Sequence, residues 1–235
     1  MKTLTMRFIT LLALFCCLSC TPKKSAMMNE KKAISFLALG DSYTIGEAVT
    51  RDERWPVQLT RKLRNDSAMI DDPVIIATTG WTTDELKKGI LQADLKDKYD
   101  FVTLLIGVNN QYRGYPLSQY ELEFKELLQI AIDFAQGEPS NVLVISIPDY
   151  GVTPFAQERG LSEEKIAKEL DEYNAVAEKI ATLRDVKFFN ITEDSRMAKE
   201  DTSLVASDGL HPSGKMYEQW VNTIYSHTLS NLSSR

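Results

Sequence analysis

The chain has 235 residues, of which 43% are hydrophobic and 26% are charged, with little glycine or proline. This length and composition are typical of a globular protein with one large domain or two small ones. The formal net charge of −6 argues against nucleic acid as a partner, because phosphate binding needs a basic patch. The sequence contains neither a block of like charges nor a visible repeat.

Residues 1–20 have the features of an export signal. Lys2 and Arg7 supply positive charge ahead of an apolar run over residues 8–18. A run of about eleven residues fits the apolar core of a signal peptide, whereas a membrane-spanning helix needs roughly 20. We interpret the segment as a signal peptide of the lipoprotein type, and the alternatives to it are a plain secretory signal and a short uncleaved anchor.

The end of this segment, Leu18-Ser19-Cys20, resembles a bacterial lipobox, in which the cysteine is lipidated. Cys17 stands where the lipobox usually has leucine. The resemblance predicts an exported lipoprotein of the bacterial cell envelope, facing the periplasm or the surface and held to the membrane through Cys20. The polar, aperiodic residues 21–33 then form a flexible tether.

All three cysteines precede residue 21, so residues 34–235 are expected to fold without a disulfide. About 200 residues can bury a sufficient hydrophobic core on their own. Because no Pro/Gly-rich linker divides this segment, we interpret it as one domain.

Short apolar runs alternate with longer periodic segments beyond residue 33. Near-continuous apolar runs are typical of strands buried on both faces, and they occupy 34–39, 74–77, 101–106, 142–147 and 186–189. Spacings of three and four predict helices over Tyr120–Phe134, Ile166–Ile180 and Met216–Ile224, with Ser162 as a helix cap. The alternation predicts an α/β fold, a three-layer α/β/α sandwich with a parallel sheet of about five strands.

Chemistry-bearing residues follow the predicted strands, at the sheet edge where ligands bind in open α/β folds. The segments that follow the five strands are Gly40–Ser42, Thr78–Trp81, Gly107–Asn110, Pro148–Gly151 and Asp208–Pro212.

A serine nucleophile at the first of these ends would need a base and a group that orients the base. Of the two histidines, His211 has a carboxylate, Asp208, three residues before it, and His227 falls on a predicted surface face. Ser42 as an ordinary helix cap is the alternative.

Together these segments resemble the SGNH hydrolases of the GDSL esterase/lipase superfamily, named for a serine, a glycine, an asparagine and a histidine in four blocks. The matching residues are Ser42, Gly80, Asn109 and His211, with Asp208 in the final block. The resemblance implies a flavodoxin-like sheet and a catalytic triad of Ser42, Asp208 and His211. It also implies an oxyanion hole made of the Ser42 and Gly80 N–H groups and the Asn109 amide, with no metal or cofactor. Glycine at position 80 would let the backbone approach the substrate closely.

The chain departs from the family pattern at three points. Tyr43 follows Ser42 in place of leucine or isoleucine, and Asn110 replaces the acid that often follows Asn109. The second block has Thr78 and Thr79 where an asparagine is often found, so Gly80 is placed less directly than the other matching residues.

Other polar residues at the strand ends are interpreted as structural. We expect Asp41 to be a turn or cap residue, Gly107 to permit a tight strand exit, and Asn110 and Asp149 to brace their loops. Four aromatic residues suggest an aromatic-edged pocket for a sugar face or an acyl chain, and these candidate substrate contacts are Trp81, Tyr112, Tyr150 and Phe155.

These interpretations predict a serine ester hydrolase of the cell envelope that cleaves small or carbohydrate-borne acyl esters, with glycan deacetylation preferred. A lysophospholipase or a thioesterase of the same family is the alternative. A catalytically silent carbohydrate-binding module and a structural lipoprotein are hypotheses from other classes.

Overall fold

A computed structural model describes residues 32–233, and the predicted signal segment, Cys20 and nearly all of the predicted tether lie outside them. The strands form one parallel sheet in the order β2-β1-β3-β4-β5. They are β1 (Phe36–Gly40), β2 (Val74–Ala77), β3 (Phe101–Leu105), β4 (Val142–Ile145) and β5 (Lys187–Phe189). The predicted flavodoxin-like sheet is confirmed.

The helices of the described part cover both faces of this sheet. They are α1 (Ser42–Ile45), α2 (Trp55–Asn65), α3 (Thr83–Gln92), α4 (Val108–Tyr112), α5 (Leu117–Phe134), α6 (Pro154–Glu158), α7 (Glu163–Leu183), α8 (Thr192–Arg196) and α9 (Gly214–Ser233). Helices α3, α5 and α7 pack side by side in one layer, and α2, α8 and α9 form the other. None of the helices among residues 32–233 combines the length and the apolar character needed to cross a membrane.

The three central strands β1, β3 and β4 are buried on both faces, which explains why their sequences are continuously apolar. Strand β1 pairs with β2 on one side and β3 on the other, and Gly40 lies level with both Ala77 and Leu105. The segments that follow β1, β2 and β3 therefore begin at the same edge of the sheet. After β1 the chain forms β2 on one side of it, and after β2 it crosses over to form β3 on the other side. Ligands bind at this change of direction in doubly wound folds.

Strand β4 ends two residues earlier than its apolar run predicts. The Ile147 N–H donates to Asn174 Oδ1 at 2.8 Å, and Asn174 Nδ2 donates to the Ile147 carbonyl at 3.1 Å. A side chain of α7 thus replaces the neighbouring strand as the hydrogen-bond partner. Helix α7 begins after Ser162, the predicted cap, whose Oγ accepts the Lys165 N–H at 3.2 Å.

Candidate active site

Strand β1 delivers Ser42 to the carboxyl edge of the sheet, where the chain turns directly into α1. Asp41 is the N-cap of this helix, and its Oδ1 accepts the Tyr43 N–H at 3.0 Å. Ser42 is the first helical residue, so its N–H has no acceptor within the helix. The turn therefore leaves a serine hydroxyl and a free backbone donor on one residue.

The carboxyl group of Asp41, which caps α1, is completely buried. Its second oxygen, Oδ2, has no hydrogen-bond partner. Burial raises the pKa of Asp41 to about 7, although backbone N–H groups, chiefly that of Tyr43, act in the opposite direction. The predicted cap role is confirmed, and the structure adds a buried group that titrates near neutral pH.

His211 and Asp208 are in contact at the far end of the chain. His211 Nδ1 lies 2.5 Å from Asp208 Oδ2, and Oδ1 of the same carboxylate accepts the backbone N–H groups of Leu210 and His211 at 3.0 Å. Partial burial acts to raise the pKa of Asp208, but these hydrogen bonds outweigh it and lower the pKa. An ionised Asp208 holds Nδ1 of the ring and leaves Nε2 for another partner.

Packing against α1 fixes the histidine ring from a second side. The Tyr43 ring meets the His211 ring edge-on, with centroids 5.7 Å apart. The loop itself is pinned by the Ala206 N–H, which donates to the His211 carbonyl at 2.7 Å, and by the Phe155 N–H, which donates to the Gly209 carbonyl at 2.9 Å. The tyrosine that departs from the family pattern thus contacts the predicted catalytic base.

Gly80 and Asn109 are brought together by a turn after β2 and the start of α4. Gly80 has φ +87° in a turn closed by the Trp81 N–H and the Thr78 carbonyl at 3.2 Å, the conformation that requires glycine in a type II turn. A Cβ at this position would have no neighbour closer than 3.7 Å. The positive φ is one reason for glycine at this position, and the predicted close approach to the substrate stays a prediction. Asn109 Nδ2 donates to the Trp81 carbonyl at 2.9 Å, which leaves its second amide hydrogen available.

A cavity of about 120 Å³ opens between these segments. Its lining includes seven of the residues named by sequence as candidate site residues, namely Ser42, Gly80, Asn109, Tyr112, Tyr150, Phe155 and His211. Sequence reasoning missed the remaining lining residues, which are Tyr43, Thr79, Val108 and Leu210. All four lie next to a motif residue, so adjacency was the available signal. No direct hydrogen bond joins Ser42 to His211 in the described part of the chain, where the imidazole bonds to Asp208 through Nδ1.

Two candidates lie elsewhere. The indole of Trp81 is absent from the cavity lining and packs on α3, where a Cβ on Gly89 would lie 2.1 Å from Cη2 of the ring. His227 is on α9, with its ring 5.4 Å from that of Phe189, in a separate surface cleft.

Asn110 and Asp149 make the bracing contacts expected of them. Asn110 is buried, and its Oδ1 accepts the Thr83 N–H at 3.1 Å. Asp149 accepts the Gly151 N–H at 2.8 Å and pairs with Arg196 at 3.0 Å. No group of three or more His, Cys, Asp or Glu side chains within residues 32–233 is arranged to hold a metal ion.

A flavodoxin-like sheet that presents a serine, a histidine–carboxylate pair and two amide donors around one cavity is typical of serine hydrolases. The model of the GDSL-like Lipase/Acylhydrolase family matches residues 38–219, and the chain belongs to this family. The protein is accordingly a carboxylic ester hydrolase, and the resemblance to the SGNH hydrolases is confirmed.

Several solved structures share the fold. The crystal structure of TesA is 15% identical, with a TM-score of 0.65 over 84% of this chain and 99% of its own. An acetyl xylan esterase variant from Geobacillus stearothermophilus is 18% identical, with a TM-score of 0.64 over 83% and 94%. The psychrotrophic esterase EstA from Pseudoalteromonas sp. is 16% identical, with a TM-score of 0.61 over 85% and 99%. No curated protein matches the chain.

Proposed function

We propose that the protein hydrolyses short acyl esters by a Ser-His-Asp mechanism. The observation that carries the proposal is that Ser42 and His211 line the same cavity while Asp208 is hydrogen-bonded to Nδ1 of the imidazole ring. Ser42 Oγ attacks the ester carbonyl carbon while His211 Nε2 takes its proton. The same nitrogen then protonates the leaving alcohol as the C–O bond breaks, and an acyl-serine remains.

Water completes the reaction in the second half. His211 Nε2 removes a proton from water, the hydroxide attacks the acyl-serine, and the proton returns to Ser42 Oγ as the carboxylic acid leaves. Asp208 holds the imidazole in the required tautomer and stabilises the imidazolium that forms in both halves.

The negative charge on the carbonyl oxygen is stabilised by three donors in this proposal. They are the N–H groups of Ser42 and Gly80 and the free amide hydrogen of Asn109, all on residues that line the cavity. Loss of one such donor typically costs ~10²–10³ in kcat.

The dimensions of the cavity support a small acyl group. Its volume of about 120 Å³ is well below the roughly 300–1,000 Å³ of pockets that enclose a drug-sized ligand. Tyr150 and Phe155 give it an apolar wall, and Tyr112, which is 52% exposed, stands where an alcohol or sugar would extend outward. We therefore propose acetyl esters, preferably those carried by carbohydrate.

The location of the enzyme is proposed from its first twenty residues. The lipobox-like Leu18-Ser19-Cys20 supports export, lipidation at Cys20 and a place in the cell envelope, where acetylated polysaccharides occur. Mass spectrometry of the protein from membranes would detect the lipid on Cys20, and a Cys20→Ser variant that fractionates like the wild type would refute the anchor.

Release of p-nitrophenol from acetyl and octanoyl esters tests the proposed reaction. We expect faster turnover of the acetyl ester, and loss of activity in Ser42→Ala without a change in the unfolding midpoint. The Ser118→Ala variant removes an exposed serine hydroxyl on α5, away from the cavity, and serves as the control. Activity retained in Ser42→Ala would refute the mechanism, and a preference for the octanoyl ester would refute the acetyl assignment.

A further inference from the structure

Arg113, at the end of α4, reaches across to the turn that carries Gly80. Its Nη2 donates to the Gly80 carbonyl oxygen at 2.6 Å. The same guanidinium pairs with the Glu85 carboxylate at 3.3 Å. Arg113 lies outside the four sequence blocks, and it is absent from the cavity lining.

The partner of this arginine is itself held in place. Glu85 Oε2 accepts the Thr82 N–H at 2.9 Å in the capping box of α3. That backbone hydrogen bond and the contact with Arg113 lower the pKa of Glu85, so the carboxylate stays charged at neutral pH. The guanidinium is therefore fixed on one side to α3 and on the other to the Gly80 carbonyl.

Two other side-chain hydrogen bonds reach the turn, one from the Thr79 hydroxyl to the Glu47 carboxylate and one from Asn109 to the Trp81 carbonyl. Thr78 and Thr79 are exposed, and Gly80 has no side chain to restrict its dihedral angles. The peptide unit between Gly80 and Trp81 is held at its N–H by the Thr78 carbonyl. Arg113 holds the same peptide unit at its carbonyl oxygen.

Helix α4 thus contacts the turn at both of its ends. Asn109 donates to the Trp81 carbonyl from the first turn of α4, and Arg113 donates to the Gly80 carbonyl from the end of the helix. These two bonds tie the turn that carries Gly80 to the helix that carries Asn109. Since Asn109 is itself a proposed oxyanion donor, Arg113 is the link that can be removed without removing a donor.

We propose that Arg113 is a positioning residue of the oxyanion hole, which holds the Gly80 turn in register with Asn109. The proposal rests on the oxyanion role proposed for Gly80. A donor displaced by as little as 1 Å can cost up to ~10²-fold in rate, because the hydrogen bond must meet charge that develops only in the transition state.

The test compares Arg113→Ala with Arg113→Lys and with Arg51→Ala. Arg51 forms an exposed ion pair with Asp72 at 3.2 Å, away from the turn, and controls for loss of a surface arginine. We expect Arg113→Ala to lower kcat for p-nitrophenyl acetate by ~10-fold or more with KM within about twofold. Lysine, which keeps the charge and can donate a hydrogen bond but lacks the planar fork of arginine, should restore part of kcat.

Hydrogen exchange supplies a readout that does not depend on activity. The Trp81 amide, which closes the turn, should exchange faster in Arg113→Ala and at the wild-type rate in Arg51→Ala. Unchanged exchange at Trp81 would overturn the proposal even if the wild type hydrolysed no ester. Faster exchange with unchanged kcat, or a rise in KM alone, would overturn the positioning role. An inactive wild type whose Trp81 exchange still responds to Arg113→Ala would refute the esterase mechanism and leave Arg113 as a structural clamp.

Discussion

The buried carboxyl of Asp41 is expected to make the protein less stable as the pH rises from 5 to 8. In the unfolded chain this group loses its proton near the ordinary aspartate pKa of 3.8, whereas the folded protein keeps the proton up to a pKa of about 7. Between these values the folded state binds more protons than the unfolded state, so the free energy of unfolding decreases with pH. Above pH 7 the loss is complete.

The magnitude follows from the two pKa values. Each pKa unit is worth about 1.4 kcal/mol, so the full loss is ~4 kcal/mol, and ~3 kcal/mol of it falls between pH 5 and pH 8. Asp41→Asn cannot ionise, and asparagine is as good an N-cap as aspartate, so its amide oxygen can still accept the Tyr43 N–H. The variant should gain ~3 kcal/mol relative to the wild type between pH 5 and pH 8.

Urea unfolding of both proteins at pH 5 and pH 8 measures this difference directly. Subtracting wild type from variant removes the contribution of every other titrating group. Asp97→Asn makes the same substitution at an exposed position and serves as the control for the chemical change alone. If the Asp41→Asn difference were the same at both pH values, Asp41 would ionise equally in the folded and unfolded states and the reasoning would be wrong.

Two further predictions concern the catalytic pair and the exit from β3. Asp208→Asn should lower kcat by ~10⁴ with the fold intact, because the amide favours the wrong imidazole tautomer; a loss under tenfold in steady-state kinetics would contradict the triad. Gly107→Ala should destabilise the protein by ~2–6 kcal/mol in urea unfolding, because φ is +134° and a Cβ would lie 2.6 Å from the buried Tyr120 ring. Gly114→Ala, at φ +70° with no atom within 4 Å of a Cβ, should cost only ~1–2 kcal/mol, and equal losses in the two variants would refute the steric argument.

The sheet could be predicted because its signal is local. A strand buried on both faces needs an unbroken apolar run, and each run is visible without knowledge of its neighbours. The order of the strands followed from the resemblance to a known family. Strand ends were less predictable, as β4 shows, because Asn174 of α7 takes over the hydrogen bonds of Ile147.

Several contacts of the candidate site depended on tertiary structure. The sequence put Ser42, Gly80 and Asn109 after separate strands, and pairing in register brings those strand ends to one edge. His211 lies beyond α8 in the loop before α9, and only the packing of that loop brings it to the cavity. The sequence did not indicate that the Trp81 ring would pack on α3 and not in the cavity, because the direction of a side chain after a turn depends on which neighbouring surface it packs against.

The sequence by itself determined the fold class, the family and the residue types available for ester hydrolysis, because motifs and apolar runs are properties of short segments. Tertiary structure decided the environment of those residues. Asp41 is buried by segments that are distant in the chain. The contact of Tyr43 with His211 and the hydrogen bond from Arg113 to Gly80 also join distant segments. Burial and hydrogen-bond distance are set by all the packed neighbours together, and no short stretch of sequence contains them.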